Sequence, residues 1–283
     1  MIPFDFEYYK PENIDEAIKL FNELNTKGKK PIYYGGGTEI ISMARAHNVY
    51  TEAVIDIKGI PECNIQELNE NKLTIGSAVT LTEIAEKNLF PLLSLCVKRI
   101  ADHTIQDKIT LGGNIAATII YREAVLPLLL TNSEIIIASS NGNKTVLFND
   151  IFDERIRLSD GEFIVNVNID RKFLHLPHVH AKRTKNDKID YPLITLAAHK
   201  EDNKINIAFS GVFNYPFRSP LIEEYLNDTT LSSNERVKKI ICNMPDLILS
   251  DLSGSSDFRK FMLQKMLLEA LEKLEGCKND ANS

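Results

Sequence analysis

The sequence predicts an α+β fold that contains α/β lobes and more than one domain. The 283 residues are 43% apolar and 25% charged, which is ordinary for a globular protein with a sizeable core. Predicted helices and strands alternate over residues 1–57. Residues 193–210 instead form a hairpin pattern and are followed by helical segments, so the two parts of the chain differ in character.

The first lobe opens with a predicted helix. Asn13 and Glu16 have the spacing of a capping box at a helix start. Apolar residues then recur at helical spacing as far as Leu24, and Gly28 ends the helix. The elements predicted next are a short strand at 31–34, a helix at about 39–46 and a strand at 53–57.

The remaining elements are predicted in the same way from periodicity and turn signals. Strands are predicted at residues 72–76, 134–139, 145–148 and 161–169, and helices at 80–86 and 92–100. The later segments are strands at 193–200 and 204–210, then helices at 220–226, 233–242 and 257–275. The last helix carries an apolar stripe that is typical of core packing, and the polar tail after it is expected to fray.

Composition excludes several classes of function. The net charge of -6 gives no electrostatic footprint for nucleic acid. No apolar run is long enough for a membrane span, and the first ten residues do not have the pattern of a signal peptide, so a cytoplasmic location is expected. The four cysteines lie at 63, 96, 242 and 277, without the spacing of an iron–sulfur or zinc site.

Two glycine-rich turns are the candidate ligand sites. Gly35, Gly36 and Gly37 follow a predicted strand and precede a helix, and Gly112 and Gly113 form a second turn. Glycine lets backbone N–H groups approach a diphosphate closely, and a helix start adds further donors. Neither turn has the Walker or Rossmann spacing. Taken alone, a glycine pair is more often only a tight turn.

These turns and the segments around them resemble a known family. The segment GGGTEI at 35–40 resembles a G-G-T-D-L signature, and TLGGNIA at 110–116 resembles T-I-G-G-N-I-A. Both signatures belong to the FAD-binding subunit of molybdenum hydroxylases, which include carbon monoxide dehydrogenase and xanthine dehydrogenase. Further matches follow in the same order, at 54–62, 73–80, 160–164 and 256–259. The resemblance therefore extends over almost the whole chain.

The resemblance implies a fold and a domain layout. The implied fold is a two-lobed FAD-binding domain of the vanillyl-alcohol-oxidase type, followed by a smaller domain of antiparallel sheet and helices. The expected FAD-binding domain is residues 1–172, with lobes at about 1–57 and 58–172. Residues 173–283 are expected to form the C-terminal domain.

The resemblance also implies roles for individual residues. The first turn would bind the FAD pyrophosphate through Tyr34, Gly35, Gly36, Gly37, Thr38, Glu39 and Ile40. The opposing loop would comprise Thr110, Gly112, Gly113 and Asn114, and Thr80 would place a hydroxyl near the phosphates or the ring. Glu123 would lie beside the ribose and adenine. Lys182 would lie near the flavin ring, where a cation favours an anionic reduced flavin.

The implied function is electron relay. In the family, a molybdenum-cofactor large subunit oxidises substrate, a small subunit passes electrons through 2Fe-2S clusters, and FAD delivers them to NAD or to oxygen or a quinone. This chain would be the FAD-binding oxidoreductase subunit, and no catalytic side chain of its own is predicted. Two alternatives stay open: a self-sufficient FAD oxidase or reductase of the same fold, and a degenerate scaffold that has lost flavin.

The scaffold alternative depends on departures from the family pattern. Ile119 and Ile120 replace small polar residues, and Glu39 and Glu123 replace the commoner Asp.

Residues 182–185, KRTK, are interpreted as a solvated loop, with contact to an anionic cofactor as the alternative. The histidines at 175, 178 and 180 lack a nearby carboxylate and fall in an expected domain linker, so no metal site is predicted.

Overall fold

The computed structural model describes residues 2–185 and 190–276. Within them, the chain divides into two compact units. Unit 1 comprises residues 2–89, 102–118 and 132–171, and unit 2 comprises residues 90–101, 119–131, 172–185 and 190–276. Cys277 and the polar tail after it lie outside the described residues. None of the described helices is both long enough and apolar enough to cross a membrane.

The helices and strands are numbered in chain order. The helices are α1 (Ile14–Thr26), α2 (Thr38–Arg45), α3 (Leu81–Lys87), α4 (Pro91–Val97), α5 (His103–Gln106), α6 (Leu111–Ala116), α7 (Val125–Thr131), α8 (Phe148–Ile151), α9 (Pro220–Leu226), α10 (Ser233–Cys242) and α11 (Ser256–Gly276). The strands are β1 (Glu7–Tyr9), β2 (Ile32–Tyr34), β3 (Ala53–Asp56), β4 (Gln66–Leu68), β5 (Lys72–Gly76), β6 (Glu134–Ser139), β7 (Gly142–Leu147), β8 (Phe152–Asp153), β9 (Arg155–Ile156), β10 (Phe163–Asp170), β11 (His178–Thr184), β12 (Pro192–Glu201), β13 (Lys204–Ser210) and β14 (Phe217–Arg218).

Unit 1 contains a small parallel sheet and a larger antiparallel sheet. The parallel sheet has the order β1-β3-β2, and the antiparallel sheet has the order β4-β5-β10-β6-β7. Apolar residues of α1, including Ala17 and Phe21, pack in one core with Ile55 of the first sheet and Phe163 of the second. Helix α1 therefore connects the core of the small parallel sheet to the larger sheet.

The start of α1 shows how the sequence fixes an element boundary. The side chain of Asn13 accepts a hydrogen bond from the Glu16 N–H, as the predicted helix start requires. The Glu16 carboxylate, however, accepts the N–H of Glu12 at 2.9 Å. The helix therefore begins where it was predicted, with the Glu16 side chain turned to a different donor.

Unit 2 is built on an antiparallel sheet with the order β11-β12-β13-β14. The predicted hairpin is formed by β12 and β13, with Glu201 opposite Lys204. One core joins the sheet to the last three helices through residues such as Ile207, Val237 and Met266. The stripe predicted on the last helix is buried, as expected from its spacing.

The fold class agrees with the prediction, but two local interpretations are corrected. Residues 182–184, expected in a solvated loop, belong to β11, and Lys182 is only 3% exposed. His178 and His180, expected in a linker, lie on the same strand. The sequence of β11 is mostly polar, and its alternation of apolar and polar residues is too weak to identify a strand from sequence alone.

Candidate functional site

The first glycine turn connects β2 to α2, as predicted. Gly37 is the residue before α2 and has a left-handed backbone with φ of 70°, which glycine adopts without steric cost. A side chain at Gly37 would overlap the ring of Tyr34. The turn therefore requires glycine at this position for both conformation and space.

The structure brings the first turn against the segment that leads into the second. A Cβ atom added to Gly35 would lie 2.7 Å from Oγ1 of Thr110. A Cβ atom added to Gly36 would overlap the backbone carbonyl of Lys108. Gly36 is thus required by the approach of a backbone segment, and Gly35 by the close Thr110 side chain, each across more than seventy residues of chain. The two predicted turns form one local structure within unit 1.

The second glycine pair lies in a short helix and not in an open loop. Thr110 precedes α6, and its hydroxyl accepts the N–H of Gly113 at 3.2 Å. The N–H of Gly112 donates to the carbonyl of Ser77 at 2.8 Å. Asn114 is buried in the same helix, whereas Gly113 is exposed. Gly112 therefore allows close packing against Ser77, whereas Gly113 is exposed to solvent.

The backbone of the first turn carries unpaired donors. Among the described residues, the N–H groups of Gly36 and Gly37 make no hydrogen bond to backbone or side chain. The N–H groups of the first turn of α2 follow them in the chain. Such N–H groups have no acceptor within their own helix. Converging N–H groups at a helix start favour a phosphate anion. This arrangement suits a diphosphate.

Glu39 and Thr118 connect α2 to the segment after α6. The Glu39 carboxylate accepts the Thr118 N–H at 2.9 and 3.0 Å, and it also accepts the Thr118 hydroxyl. Ile40 is the next residue of α2 and is half-buried. Glu39 therefore holds α2 against the segment after α6 within unit 1. The sequence does not predict this contact.

Thr80 lies beside the second turn through its backbone. Thr80 and Thr110 form an isolated antiparallel bridge. The Thr80 hydroxyl, however, caps α3, because it accepts the Glu83 N–H at 3.2 Å and donates to the Glu83 carboxylate at 2.8 Å. The hydroxyl expected near a phosphate is thus engaged in a capping box.

Glu123 and Lys182 are brought together inside unit 2. The Lys182 ammonium donates to the Glu123 carboxylate at 3.0 Å and to the carbonyl of Arg99 at 2.6 Å. Glu123 also accepts the hydroxyl of Thr195 at 2.6 Å. Burial raises the pKa of Glu123, while Lys182 and Thr195 limit the rise. Glu123 is therefore no solvated acid, and the charge of Lys182 is balanced within the same unit.

Asp56 and Lys58 adjoin the first turn, although the sequence analysis assigns them no role. Lys58 donates to the carbonyl of Gly35 at 2.7 Å and pairs with Asp56 at 2.8 Å. A signal was available in principle: β2 and β3 are parallel neighbours, with Tyr34 opposite Asp56. The residues that follow the carboxyl ends of parallel strands meet at one sheet edge, where ligands bind in open α/β sheets.

The described residues hold no group of three or more His, Cys, Asp or Glu side chains in a metal-binding arrangement. Cys63 and Cys96 are buried, and Cys242 is exposed. The chemistry that the N–H groups of the first turn support is anion binding by backbone donors.

Comparison with known proteins identifies the family of the chain. The pattern of the family described as "FAD binding domain in molybdopterin dehydrogenase" matches residues 4–171, which include both glycine turns. The nicotinate dehydrogenase FAD-subunit of Eubacterium barkeri is 23% identical, and the alignment covers 98% of this chain and 99% of that protein. The carbon monoxide dehydrogenase medium chain of Hydrogenophaga pseudoflava is 23% identical, with coverage of 96% and 97%.

Solved structures show the same fold. Quinoline 2-oxidoreductase from Pseudomonas putida 86 superposes with a TM-score of 0.85 at 19% identity, covering 97% of this chain and 98% of that chain. The family pattern covers more than half of the sequence. The chain therefore belongs to the FAD-binding family of the molybdopterin dehydrogenases and is an FAD-binding oxidoreductase subunit of the molybdenum hydroxylase type.

Proposed function

We propose that this chain relays electrons within a complex, receiving them from a separate 2Fe-2S subunit and passing them to NAD or another acceptor. The substrate would be oxidised at a molybdenum cofactor on a further subunit. The observation that carries the proposal is the contact between the two glycine segments, at which the N–H groups of Gly36 and Gly37 have no hydrogen-bond partner among the described residues. Bound FAD supplies the redox chemistry, accepting and releasing electrons singly or in pairs.

The role of the chain's own residues follows from that site. The backbone of Gly36 and Gly37 would bind the diphosphate, with Thr38, Glu39 and Ile40 continuing the donor series into α2. Thr110, Gly113 and Asn114 would form the opposing side, and Tyr34 would cover the turn. Glu123 and Lys182, expected at opposite ends of FAD, form a buried ion pair of 3.0 Å with each other within unit 2, so no contact with FAD is proposed for either.

The division of labour is supported by the sequence and by the names of the relatives. The cysteine positions lack the spacing of an iron–sulfur cluster, which suits a division of labour in which the clusters are on another chain. The relatives are named as an FAD-subunit and a medium chain. We further propose that residues 1–172 form the FAD-binding domain and residues 173–283 a C-terminal domain.

The test begins with the visible spectrum of the purified chain and its titration with FAD. We expect a flavin spectrum and release of FAD on denaturation. Gly113→Val should abolish FAD binding, because its side chain would occupy the exposed face beside Thr110. Gly142→Asn is a matched control, since Gly142 has a positive φ in the same unit with no neighbour within 4 Å, and Asn tolerates that backbone.

Electron relay is tested by anaerobic reduction of the FAD-loaded chain and mixing with NAD. Reoxidation by NAD, together with capture of an iron–sulfur subunit on co-expression with the neighbouring genes, supports the proposal. A chain that stays colourless and takes up no FAD would favour the scaffold alternative. A chain that oxidises a substrate without any partner would favour the self-sufficient enzyme.

A further inference from the structure

The ammonium group of Lys58 connects three parts of unit 1 at the first glycine turn. It donates to the Gly35 carbonyl at 2.7 Å and pairs with Asp56 at 2.8 Å. It also lies 4.6 Å from the ring centroid of Tyr34, within cation–π range. The Lys58 side chain is 39% exposed, whereas that of Asp56 is 3% exposed. The Lys58 ammonium thus contacts the turn while it is paired with the buried carboxylate of Asp56, which anchors it.

That anchor is fixed by a second set of contacts. One Asp56 oxygen accepts the backbone N–H of Lys58 at 2.9 Å. The other accepts the hydroxyl of Tyr8, and this hydrogen bond raises the pKa of Tyr8 to about 12. Because Tyr8 and Asp56 lie on strands of the parallel sheet, the position of the carboxylate is set by the fold. The carboxylate in turn sets the position of the Lys58 ammonium.

The contact with Gly35 has a consequence for the next N–H group. A peptide unit is planar and trans, so its C=O and N–H point in opposite directions. When Lys58 binds the Gly35 carbonyl, the N–H of Gly36 in the same unit must point away from Lys58. A peptide between two glycines has little steric resistance to rotation about its flanking bonds. A fixed cation on the carbonyl therefore selects one orientation of an otherwise permissive peptide.

We propose that Lys58 is a positioning residue for the FAD diphosphate, holding the Gly35 carbonyl so that the Gly36 N–H faces the anion. This inference rests on the proposed function, in which the first turn binds the diphosphate. It assigns to Lys58 the pre-organisation of a backbone donor and assigns the binding itself to the backbone. Asp56 holds Lys58 directly, and Tyr8 acts on Lys58 only through Asp56.

The test compares FAD affinity in full-length variants. Lys58→Met should raise the Kd for FAD roughly tenfold, because FAD binding would then have to fix a backbone peptide that Lys58 no longer holds, at a cost of about 1–2 kcal/mol. Lys58→Arg should stay within about threefold of the wild type, because it retains charge and donors. Lys144→Met is the matched control: Lys144 is similarly exposed and forms an ion pair with Glu162 in the same unit. Its Kd should equal that of the wild type.

A second measurement separates positioning from general stability. The apo form of Lys58→Met should melt within a few degrees of the wild type, because Asp56 keeps the Tyr8 hydroxyl and the backbone N–H of residue 58 as donors, while its FAD-induced rise in Tm should shrink. Selective 15N labelling of the 13 glycines reports the donor directly. On adding FAD, the Gly36 amide signal should shift in the wild type and shift less in Lys58→Met.

The outcomes distinguish this inference from the proposed function. Wild-type affinity in Lys58→Met, alongside loss of FAD in Gly113→Val, would overturn the role of Lys58 and leave the site intact. Equal losses in Lys58→Arg and Lys58→Met would also overturn it. A wild-type chain that binds no FAD would overturn both.

Discussion

Glu123 and Lys182 form an ion pair of 3.0 Å with side chains that are 4% and 1% exposed. The two residues are 59 positions apart in sequence, and the hydroxyl of Thr195 completes the carboxylate's hydrogen bonding. Two charges removed from water to this extent are tolerated only when each has a partner. The pair therefore makes the stability of unit 2 depend on both residues together.

Lys182→Met should destabilise the chain in a pH-dependent manner. Burial already raises the pKa of Glu123, and removal of the cation would raise it further. A carboxyl with a raised pKa in the folded state favours folding when protonated and opposes it when ionised. The loss in free energy of unfolding should thus grow as pH rises from 5 to 8, reaching about 3 kcal/mol. Urea unfolding at both pH values measures it.

Adding Glu123→Gln to Lys182→Met provides the control. The neutral amide needs no counter-charge, so the double variant should recover stability at pH 8 and lose the pH dependence. An equal loss at pH 5 and pH 8 in the single variant would mean that the side chain of Lys182 acts by packing alone.

Two histidines, the half-buried His180 and the buried His199, predict a separate response to acid. Burial, with Arg99 and Lys182 nearby, lowers the pKa of His180 to about 4, and burial near Arg218 lowers that of His199 to about 4. Their stabilising effect is complete above the unfolded pKa of about 6.5 and is lost as pH falls toward 4. At pH 5 each should remove about 2 kcal/mol of stability.

His180→Leu tests this response because leucine cannot titrate. The loss of unfolding free energy between pH 7 and pH 5 should be about 2 kcal/mol smaller than in the wild type. His175→Leu, at an exposed position just before β11, should leave the profile unchanged. If both variants give the wild-type profile, acid destabilisation arises elsewhere in the chain.

Local signals predicted much of the fold, and long-range contacts were beyond them. Asn13 starts α1 as its side chain predicts, and the last helix buries the stripe that its periodicity predicts. By contrast, α7 was not predicted, because a continuous apolar run containing Pro127 has no helical periodicity. Similarly, β11 carries polar residues that are buried only because Glu123 and Arg99 meet them in space.

The same distinction applies to the candidate site. The family resemblance located both glycine segments, but it could not show that Gly36 needs space for the Lys108 carbonyl. The contact of Lys58 with Gly35 spans 23 positions and has no sequence pattern of its own. Glu39, predicted to border the pyrophosphate, also binds Thr118 across 79 positions. Pairing between distant segments depends on the tertiary fold, and one sequence does not record it.

Glu39→Ala should weaken FAD binding through loss of the contact with Thr118. Without the carboxylate, the Thr118 N–H loses its acceptor, and the segment after α6 is released from α2. Loss of a charge-assisted acceptor predicts a reduction in affinity of roughly tenfold, measured by titrating the apo chain with FAD. Glu39→Gln retains one acceptor oxygen and should fall between the two. Unchanged affinity in Glu39→Ala would show that the contact between Glu39 and Thr118 has a structural role only.

Arg259 anchors the start of α11, and its replacement should unfold unit 2 most readily. The guanidinium is fully buried and donates to the carbonyls of Leu193 and Gly211, and to both carboxylate oxygens of Asp251 at 2.7 and 2.8 Å. Arg259→Met leaves the buried carbonyls of Leu193 and Gly211 without their donor, and a loss of about 3 kcal/mol is expected for two unsatisfied buried acceptors. Arg259→Lys keeps the charge without the forked donors, so it should recover only part of the loss. Chemical unfolding monitored by near-UV circular dichroism distinguishes the three proteins, and equal stability of Arg259→Lys and wild type would show that charge, and not the fork geometry, secures α11.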